Sequence, residues 1–220
     1  MPSEAYTKFD QSGKDILMLW QIHAEVARRG KGRRHRADVL NRAAIVFIAA
    51  CWESYVEDAA REAFNYLLER TSTPDVFPQK VKTLAAKHLR EAKDERRIWE
   101  LAGSGWRNVL IDHRDLILSR WLRDFNTPKS EQVRTLFAEM LNLRDVTSCW
   151  VWSDMTSEQA CAKLNDYISI RGNIAHRTKH DEVVHKNMGK DFLSHVVKLV
   201  EKTDKALAAH VQTLIKGELQ

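Results

Sequence analysis

The chain has 220 residues, 44% of them hydrophobic, so it can bury one sizeable core and is expected to form a single domain over 1–220. Its formal net charge of +5 is only mildly basic, which permits an RNA partner without requiring one. The three cysteines have no metal-ligand spacing, no apolar run is as long as a membrane span, and no export signal follows Met1. We therefore expect a cytoplasmic protein with reduced thiols and no membrane partner.

Glycine and proline are scarce, with eight and four in all, and apolar residues recur at helical spacing along nearly the whole chain. This pattern predicts an all-α fold. A first helix is expected over about 4–28, stopped by Gly30. The connector that follows, 28–36, holds the densest positive charge of the chain. Such a run is usually a solvated loop, but it could bind RNA phosphates without sequence preference through Arg33, Arg34 and Arg36.

A second and longest helix is expected over about 37–70. Its segment 43–52 is apolar nearly all round, which predicts burial on most sides. Glu53 and Glu57 follow this run one turn apart, where a charge is costly unless it is paired. Two prolines in 71–78 break the helix.

The middle of the chain, about 79–125, is expected to form further helices joined near 103–105. Its candidate packing residues are the large apolar ones at Trp99, Trp106, Leu110, Leu116, Leu118, Trp121 and Leu122. After a loop at 126–128, another helix is expected to turn one face inward, made of Val133, Leu136, Phe137, Met140 and Leu141. The strand signal is confined to 146–152.

Thr156 and Gln159 have the spacing of a capping box, so a helix is expected to begin near Ser157. Arg171 lies on that helix. Gly172 is a natural residue for the end of a helix, so we expect the helix to end or kink there. A last helix is expected over about 190–216, with its apolar residues again at helical spacing.

Arg171 and His176 are the pair of side chains that a metal-free ribonuclease would use. Arginine stays charged and offers a planar fork of donors to a phosphate, whereas histidine takes and returns a proton near neutrality. On an unbroken helix, positions five apart lie about 7.5 Å along the axis and about 140° around it. They would not share a face, so a two-fold partner could complete the site. The alternative is an arginine near a helix end and a histidine that caps the next turn.

A zinc site is a second alternative, because His176 and His180 are spaced i, i+4 and His185 follows, with Asp181 and Glu182 between. No HExxH pattern or cysteine pair accompanies them. We therefore expect a solvated basic loop here, with no metal and no cofactor.

Three segments in order along about 6–176 resemble the HEPN superfamily, and most closely its RiboL-PSP-type branch. They are AACWESYVED at 49–58, FNTP at 125–128 leading into VRTLF at 133–137, and IRGNIAHR at 170–177. The resemblance implies a HEPN-like helical bundle with additional helices, a homodimer, and metal-independent cleavage of RNA. In many members this activity serves toxin–antitoxin systems or antiviral defence, so the resemblance also implies an antitoxin or a defence-system protein as a partner. The helices at about 79–125 would be an insertion.

By motif position, the resemblance assigns catalysis to Arg171 and His176. Many members have a polar residue, commonly asparagine, directly after the arginine, whereas here Gly172 stands there and Asn173 comes one position later. A branch controlled by a nucleotidyltransferase antitoxin has a tyrosine two positions after the histidine, but the residue here is Thr178, so that control is not expected.

Four further side chains are candidates to assist the catalytic pair. Asn173 is expected to support it, and Glu53 could orient Arg171 or pair with another base. Arg177 and Lys179 are candidates for binding RNA phosphates. The alternative function is a catalytically silent helical dimer that binds RNA, a nucleotide or a partner protein.

Overall fold

The computed structural model describes residues 3–28, 33–176 and 184–217. Within these ranges the chain is all-α: it contains no strand, and an isolated bridge pairs Trp152 with Met155. The α-helices there are α1 (Glu4–Arg28), α2 (Arg33–Arg70), α3 (Gln79–Ala85), α4 (Lys87–Arg90), α5 (Gly105–Asp112), α6 (Arg114–Leu122), α7 (Ser130–Leu141), α8 (Ser157–His176) and α9 (Lys186–Gly217). Short 3₁₀ helices span Pro74–Val76, Glu95–Leu101 and Val146–Cys149.

Helix α2 lies at the centre of the bundle and packs against α1, α7, α8 and α9. The apolar segment 43–52 is buried on most sides as predicted, with Ile45, Ile48 and Trp52 fully buried. Ala43 and Ala50, seven residues apart, are exposed on the remaining side. The long apolar run of α2 therefore builds the core of this chain.

We expected no apolar run long enough to cross a membrane. Judged by length and composition alone, this expectation was wrong. Among the described helices, Asp38–Arg70 of α2 meets that requirement of length and apolarity. Many of its large apolar residues are instead covered by other helices of the same chain, with Trp52 and Val56 fully buried. A central core helix has the same composition as a membrane span because it too is surrounded by apolar side chains.

Helix α8 begins where the capping-box pattern predicted. The Thr156 backbone N–H donates to Gln159 Oε1 at 2.9 Å, and the Gln159 backbone N–H donates to Thr156 Oγ1 at 3.3 Å. The inward residues of α8 are buried, as are the five predicted on α7: Ala160, Leu164, Tyr167 and Ile168, and Val133, Leu136, Phe137, Met140 and Leu141. Periodicity and local capping thus placed both helices correctly.

Four local predictions were wrong, the first two of them at α2 and at 146–152. Helix α2 begins at Arg33 rather than near residue 37, since arginine is a good helix former and nothing after residue 32 interrupts the helix. The apolar residues of 146–152 form a 3₁₀ helix rather than a strand. Asp145 Oδ1 caps it by accepting from the Thr147 N–H at 3.0 Å, and Trp150 is buried and donates to Thr203 Oγ1 at 2.9 Å.

The other two concern Gly172 and the middle of the chain. Helix α8 runs through Gly172 to His176 without a break. The cost of a helical glycine, about 1 kcal/mol relative to alanine, is offset because Ile170 and Ile174 on either side pack against the core. Trp99 and Leu116 are not packing residues, since they are 76% and 48% exposed. The helices α3–α6 dock instead through residues such as Trp106, which lies against Phe77.

Candidate active site

Hydrogen bonds join α2, the start of α7 and α8 at one place in the bundle. The Trp52 indole N–H, on α2, donates to the Pro128 carbonyl at 2.9 Å. Asn165 on α8 accepts from the Ser130 backbone N–H at 2.9 Å and donates to Ser130 Oγ at 3.0 Å. Because the first N–H groups of a helix have no partner within it, Asn165 satisfies the N-terminus of α7. These contacts fix the relation between α2 and the last turns of α8, which carry Arg171.

Glu53 on α2 faces Arg171 on α8, and both side chains are half-buried. Burial raises the pKa of the Glu53 carboxyl, and the positive charge of Arg171 opposes that rise. No carboxylate among the described residues lies within 4.0 Å of the Arg171 guanidinium. The arginine therefore has a nearby negative charge that can hold its orientation, while no described carboxylate occupies its donors in a direct salt bridge.

Glu57 lies one turn beyond Glu53 and is also half-buried. Burial raises the pKa of the Glu57 carboxyl, the neighbouring charge of Glu53 raises it further, and Arg61 opposes the rise. The sequence marked Glu57 as a costly charge but did not place it in the site. It lies one turn from Glu53 on the same helix, so the two carboxyls interact, but no described interaction joins Glu57 to Arg171.

His176 is the last residue of α8, and the helix between it and Arg171 is unbroken. The two positions are therefore separated by about 7.5 Å along the axis and about 140° around it. The side chain of His176 lies outside the described part of the structure. Within one chain, Arg171 and position 176 therefore lie on the same helix but on different faces of it.

Asn173, the predicted supporting residue, is exposed on α8. It lies about 200° around the helix from Arg171, but only about 60° from position 176. Asn173 therefore shares a face with the histidine position and not with the arginine. Among the described residues, a Cβ at Gly172 would have no atom within 4 Å, so packing against them does not require this glycine.

The predicted phosphate-binding arginines do not lie on a loop. Positions 33, 34 and 36 form the first turns of α2, while the side chains of Arg33, Arg34 and Arg36 lie outside the described residues. Arg177 and Lys179 lie outside them altogether.

Most of the histidine cluster also lies outside the described ranges, with His180, Asp181 and Glu182. His185 is described and exposed. Within residues 3–28, 33–176 and 184–217, no three histidine, cysteine or acidic side chains are grouped as a metal site would need.

The side chains of His195 and Cys149 are chemically reactive groups, but burial shifts the pKa of each. Burial lowers the pKa of His195 to about 4, and its Nε2 is 3.1 Å from the Ala160 carbonyl, to which a neutral ring donates. Burial raises the pKa of the Cys149 thiol to about 11, so it is not a thiolate near neutral pH. Cys51, Cys149 and Cys161 are all free.

Comparison with known families gives one match, which spans most of the chain. The model of the family described as RiboL-PSP-HEPN matches residues 14–209. The matched range contains α2, α7 and α8, and with them Glu53, Arg171 and His176. No curated protein and no solved structure matches the chain.

Proposed function

The chain belongs to the RiboL-PSP-HEPN family, and we propose that it is an endoribonuclease that cleaves RNA without a metal ion. The observation that carries the proposal is the setting of Arg171 near the end of α8. Its charge faces the half-buried Glu53, and within the described part of the chain no direct salt bridge takes up its donors. His176 follows on the same unbroken helix.

In the proposed reaction His176 takes the proton of a ribose 2′-OH as that oxygen attacks the adjacent phosphorus. A histidine then protonates the 5′-oxygen as the bond from phosphorus to that oxygen breaks. Arg171 binds the phosphate oxygens and stabilises the negative charge that grows on them. The products are a 2′,3′-cyclic phosphate and a free 5′-hydroxyl.

Glu53 is a positioning residue in this scheme. Its carboxylate lies on α2, which is held to the start of α7 by the Trp52 hydrogen bond. The attraction between Glu53 and Arg171 draws the guanidinium towards α2 and restricts its orientation before the substrate arrives. Asn173 shares a helix face with position 176, so its supporting role would act on the histidine.

The active form in this proposal is a homodimer, because Arg171 and position 176 lie about 140° apart on one helix. A two-fold axis would present the arginine of one chain beside the histidine of the other. Helix α2 offers a surface for this contact: Val39, Ala43, Val46 and Ala50 are exposed or half-buried. They alternate at spacings of four and three residues, as in helices that pack along a seam, and the same spacing leads on to Glu53.

A toxin–antitoxin or antiviral-defence role, with an antitoxin or defence protein as partner, and a cytoplasmic location are parts of the same proposal. They rest on family membership. Arg33, Arg34, Arg36, Arg177 and Lys179 are the proposed contacts to RNA phosphates.

A second candidate function is a catalytically silent helical dimer that binds RNA, a nucleotide or a partner protein. One observation favours it: glycine stands at 172, where a polar residue would be able to contact the substrate or order the motif. Binding would then use the surface around Arg171 without any bond being broken.

Incubation of the purified protein with end-labelled RNA in excess chelator separates the two functions. The proposed enzyme cuts RNA that has a ribose at the scissile position and leaves RNA with a 2′-deoxy sugar there intact, giving 2′,3′-cyclic phosphate ends. His176→Ala should abolish cutting, whereas the matched control His185→Ala should not. Binding of RNA with no cleavage by the unmodified protein would favour the silent dimer, and loss of activity in chelator that zinc restores would favour the histidine cluster.

A further inference from the structure

A cleft of about 490 Å³ lies between the loop after α2, helix α3, the end of the 3₁₀ helix Glu95–Leu101 and helix α5. Its volume is in the range of clefts that hold small organic molecules. Neither α8 nor Glu53 lines it. The cleft is therefore a separate place on the molecule from the candidate active site.

The floor of the cleft is apolar and well buried. Ala85 on α3 and Trp106, Val109 and Leu110 on α5 form it, and each is less than a tenth exposed. Protein interiors normally close around such side chains and leave few voids larger than a water molecule. An apolar ligand that fills the cleft would remove this surface from water.

Lys82 is the one charged side chain among the described residues that line the cleft. Its nearest carboxylate, Asp75 Oδ1, is 3.7 Å away on a side chain that is 87% exposed. Exposed ion pairs of this kind contribute little to stability, so Lys82 can turn to a ligand at small cost. No carboxylate of the described residues lines the cleft, so the Lys82 ammonium at its mouth favours a ligand with an anionic end group over a ligand with a neutral or positive one.

The apolar surface continues outward from the mouth. Leu101 lines the cleft, and Ile98 is three residues earlier in the same 3₁₀ helix. Side chains three apart in a 3₁₀ helix lie one above the other, so Ile98, which is 64% exposed, extends the face of Leu101 towards solvent. An elongated ligand that extends past Leu101 would be able to contact Ile98 as well, whereas a compact one would not reach it.

We propose that this cleft binds a linear acyl chain with a terminal carboxylate, with the chain against Trp106, Val109 and Leu110 and the carboxylate on Lys82. The proposal does not depend on the proposed ribonuclease activity, since different elements build the two places. The ligand would have an unbranched hydrocarbon chain and one anionic end.

Titration calorimetry of the full chain with decanoate, kept below its micelle concentration, tests the proposal. We expect saturable binding of one decanoate per chain. Decanol, with the same chain and no charge, and decyltrimethylammonium, with the opposite charge, should each bind at least about tenfold more weakly, because neither forms an ion pair with the lysine ammonium.

Two pairs of variants assign the site. Lys82→Gln should weaken decanoate binding about tenfold and leave decanol binding unchanged, while Lys80→Gln, which removes an exposed α3 lysine paired with Glu139, should leave both unchanged. Leu101→Asp should abolish decanoate binding, and Leu116→Asp, at an exposed leucine on α6 outside the cleft, should not. Melting curves establish that each variant is folded.

Three outcomes would overturn the proposal. Decanoate that gives no saturable heat shows that the cleft takes no acyl carboxylate. Equal affinity for decanol and decanoate would show that Lys82 does not bind the carboxylate. Equal losses in Lys80→Gln and Lys82→Gln place the binding elsewhere. The comparison of decanol with decanoate uses the unmodified protein, so it remains decisive if a variant does not fold.

Discussion

Glu53 of α2 and Arg171 of α8 interact across the interface of the two helices: burial raises the pKa of the carboxyl, and the arginine's charge opposes the rise. These residues are far apart in sequence and come from two of the three segments in which the chain resembles the family, 49–58 and 170–177. The remaining segment, which begins at 125–128, is held to 49–58 by the hydrogen bond from Trp52 to the Pro128 carbonyl. Contacts among α2, the start of α7 and α8 thus connect the three segments in the bundle.

Replacement of either motif residue should remove cleavage without unfolding the chain. Arg171→Ala removes the phosphate-binding charge and His176→Ala removes the proton carrier, so each should lower kcat/KM for RNA by about 10²-fold or more. Helical content by circular dichroism and mass by sedimentation should stay those of the unmodified protein. Arg144→Ala, at an exposed arginine, is the matched control. Full activity in both folded motif variants would remove this site assignment.

Loss of charge at Glu53 should weaken catalysis moderately, because the residue orients Arg171 and does not touch the phosphate. Glu53→Gln should lower kcat/KM about tenfold, and Glu53→Asp should retain part of the activity. Glu69→Gln, at an exposed position of α2, is the control. A purely structural role for Glu53 would instead appear as a lower melting temperature with unchanged kcat and KM in the folded fraction.

The half-buried carboxyls should lower stability as they ionise. The pKa of Glu57 is raised in the folded chain, so the folded state binds more protons than the unfolded state between the ordinary carboxyl value and the raised one. Stability contributed by the protonated group is therefore lost as the pH rises through that window.

Glu57→Gln should raise the melting temperature at pH 7, and its advantage should shrink as the pH falls below the ordinary carboxyl value. Melting curves at pH 7 and pH 4 measure the difference. Glu69→Gln provides the baseline. An advantage for Glu57→Gln that is equal at both pH values would contradict the raised pKa.

Two glycines should respond in opposite ways to alanine. Gly172 lies inside α8, and a Cβ there meets open space, so Gly172→Ala should stabilise the chain by about 0.5–1 kcal/mol. A Cβ at Gly105 would lie 1.9 Å from the backbone oxygen of Glu100, so Gly105→Ala should be destabilising. Urea unfolding of both variants checks this, and a loss of stability in Gly172→Ala would show that the glycine has a structural role in the chain.

A charge in the α2 stripe should break the proposed dimer. Ala50→Arg is at an exposed position, so the chain should stay folded but sediment as a monomer and lose cleavage. Leu116→Arg, exposed on α6, should change neither property. An unmodified enzyme that is fully active as a monomer well above its assay concentration is incompatible with the dimer.

Mixing folded Arg171→Ala with folded His176→Ala tests how the two chains share the site. A mixed dimer retains one arginine and one histidine from opposite chains, so partial activity should appear if one composite pair suffices. If both pairs are required, the mixture stays inactive, and the sedimentation result then decides the dimer.

Local patterns in the sequence were enough to predict most of the helices. The capping box at Thr156 and Gln159 and the apolar spacing of α7 depend only on residues within a few turns of each other, so they were confirmed. The motif positions of Arg171 and His176 were likewise visible without a structure, as was the costly charge at Glu53.

Contacts between distant segments decided the rest. Gly172 would end an isolated helix, but the packing of Ile170 and Ile174 carries α8 through it, and so puts Arg171 and position 176 on different faces. Spacing cannot tell that Trp99 is exposed while Trp106 is buried, because both have the composition of core residues. The approach of Arg171 to Glu53 and the cleft beside Lys82 arise only when separate helices meet, since no local propensity fixes which side chains face each other across a helix interface.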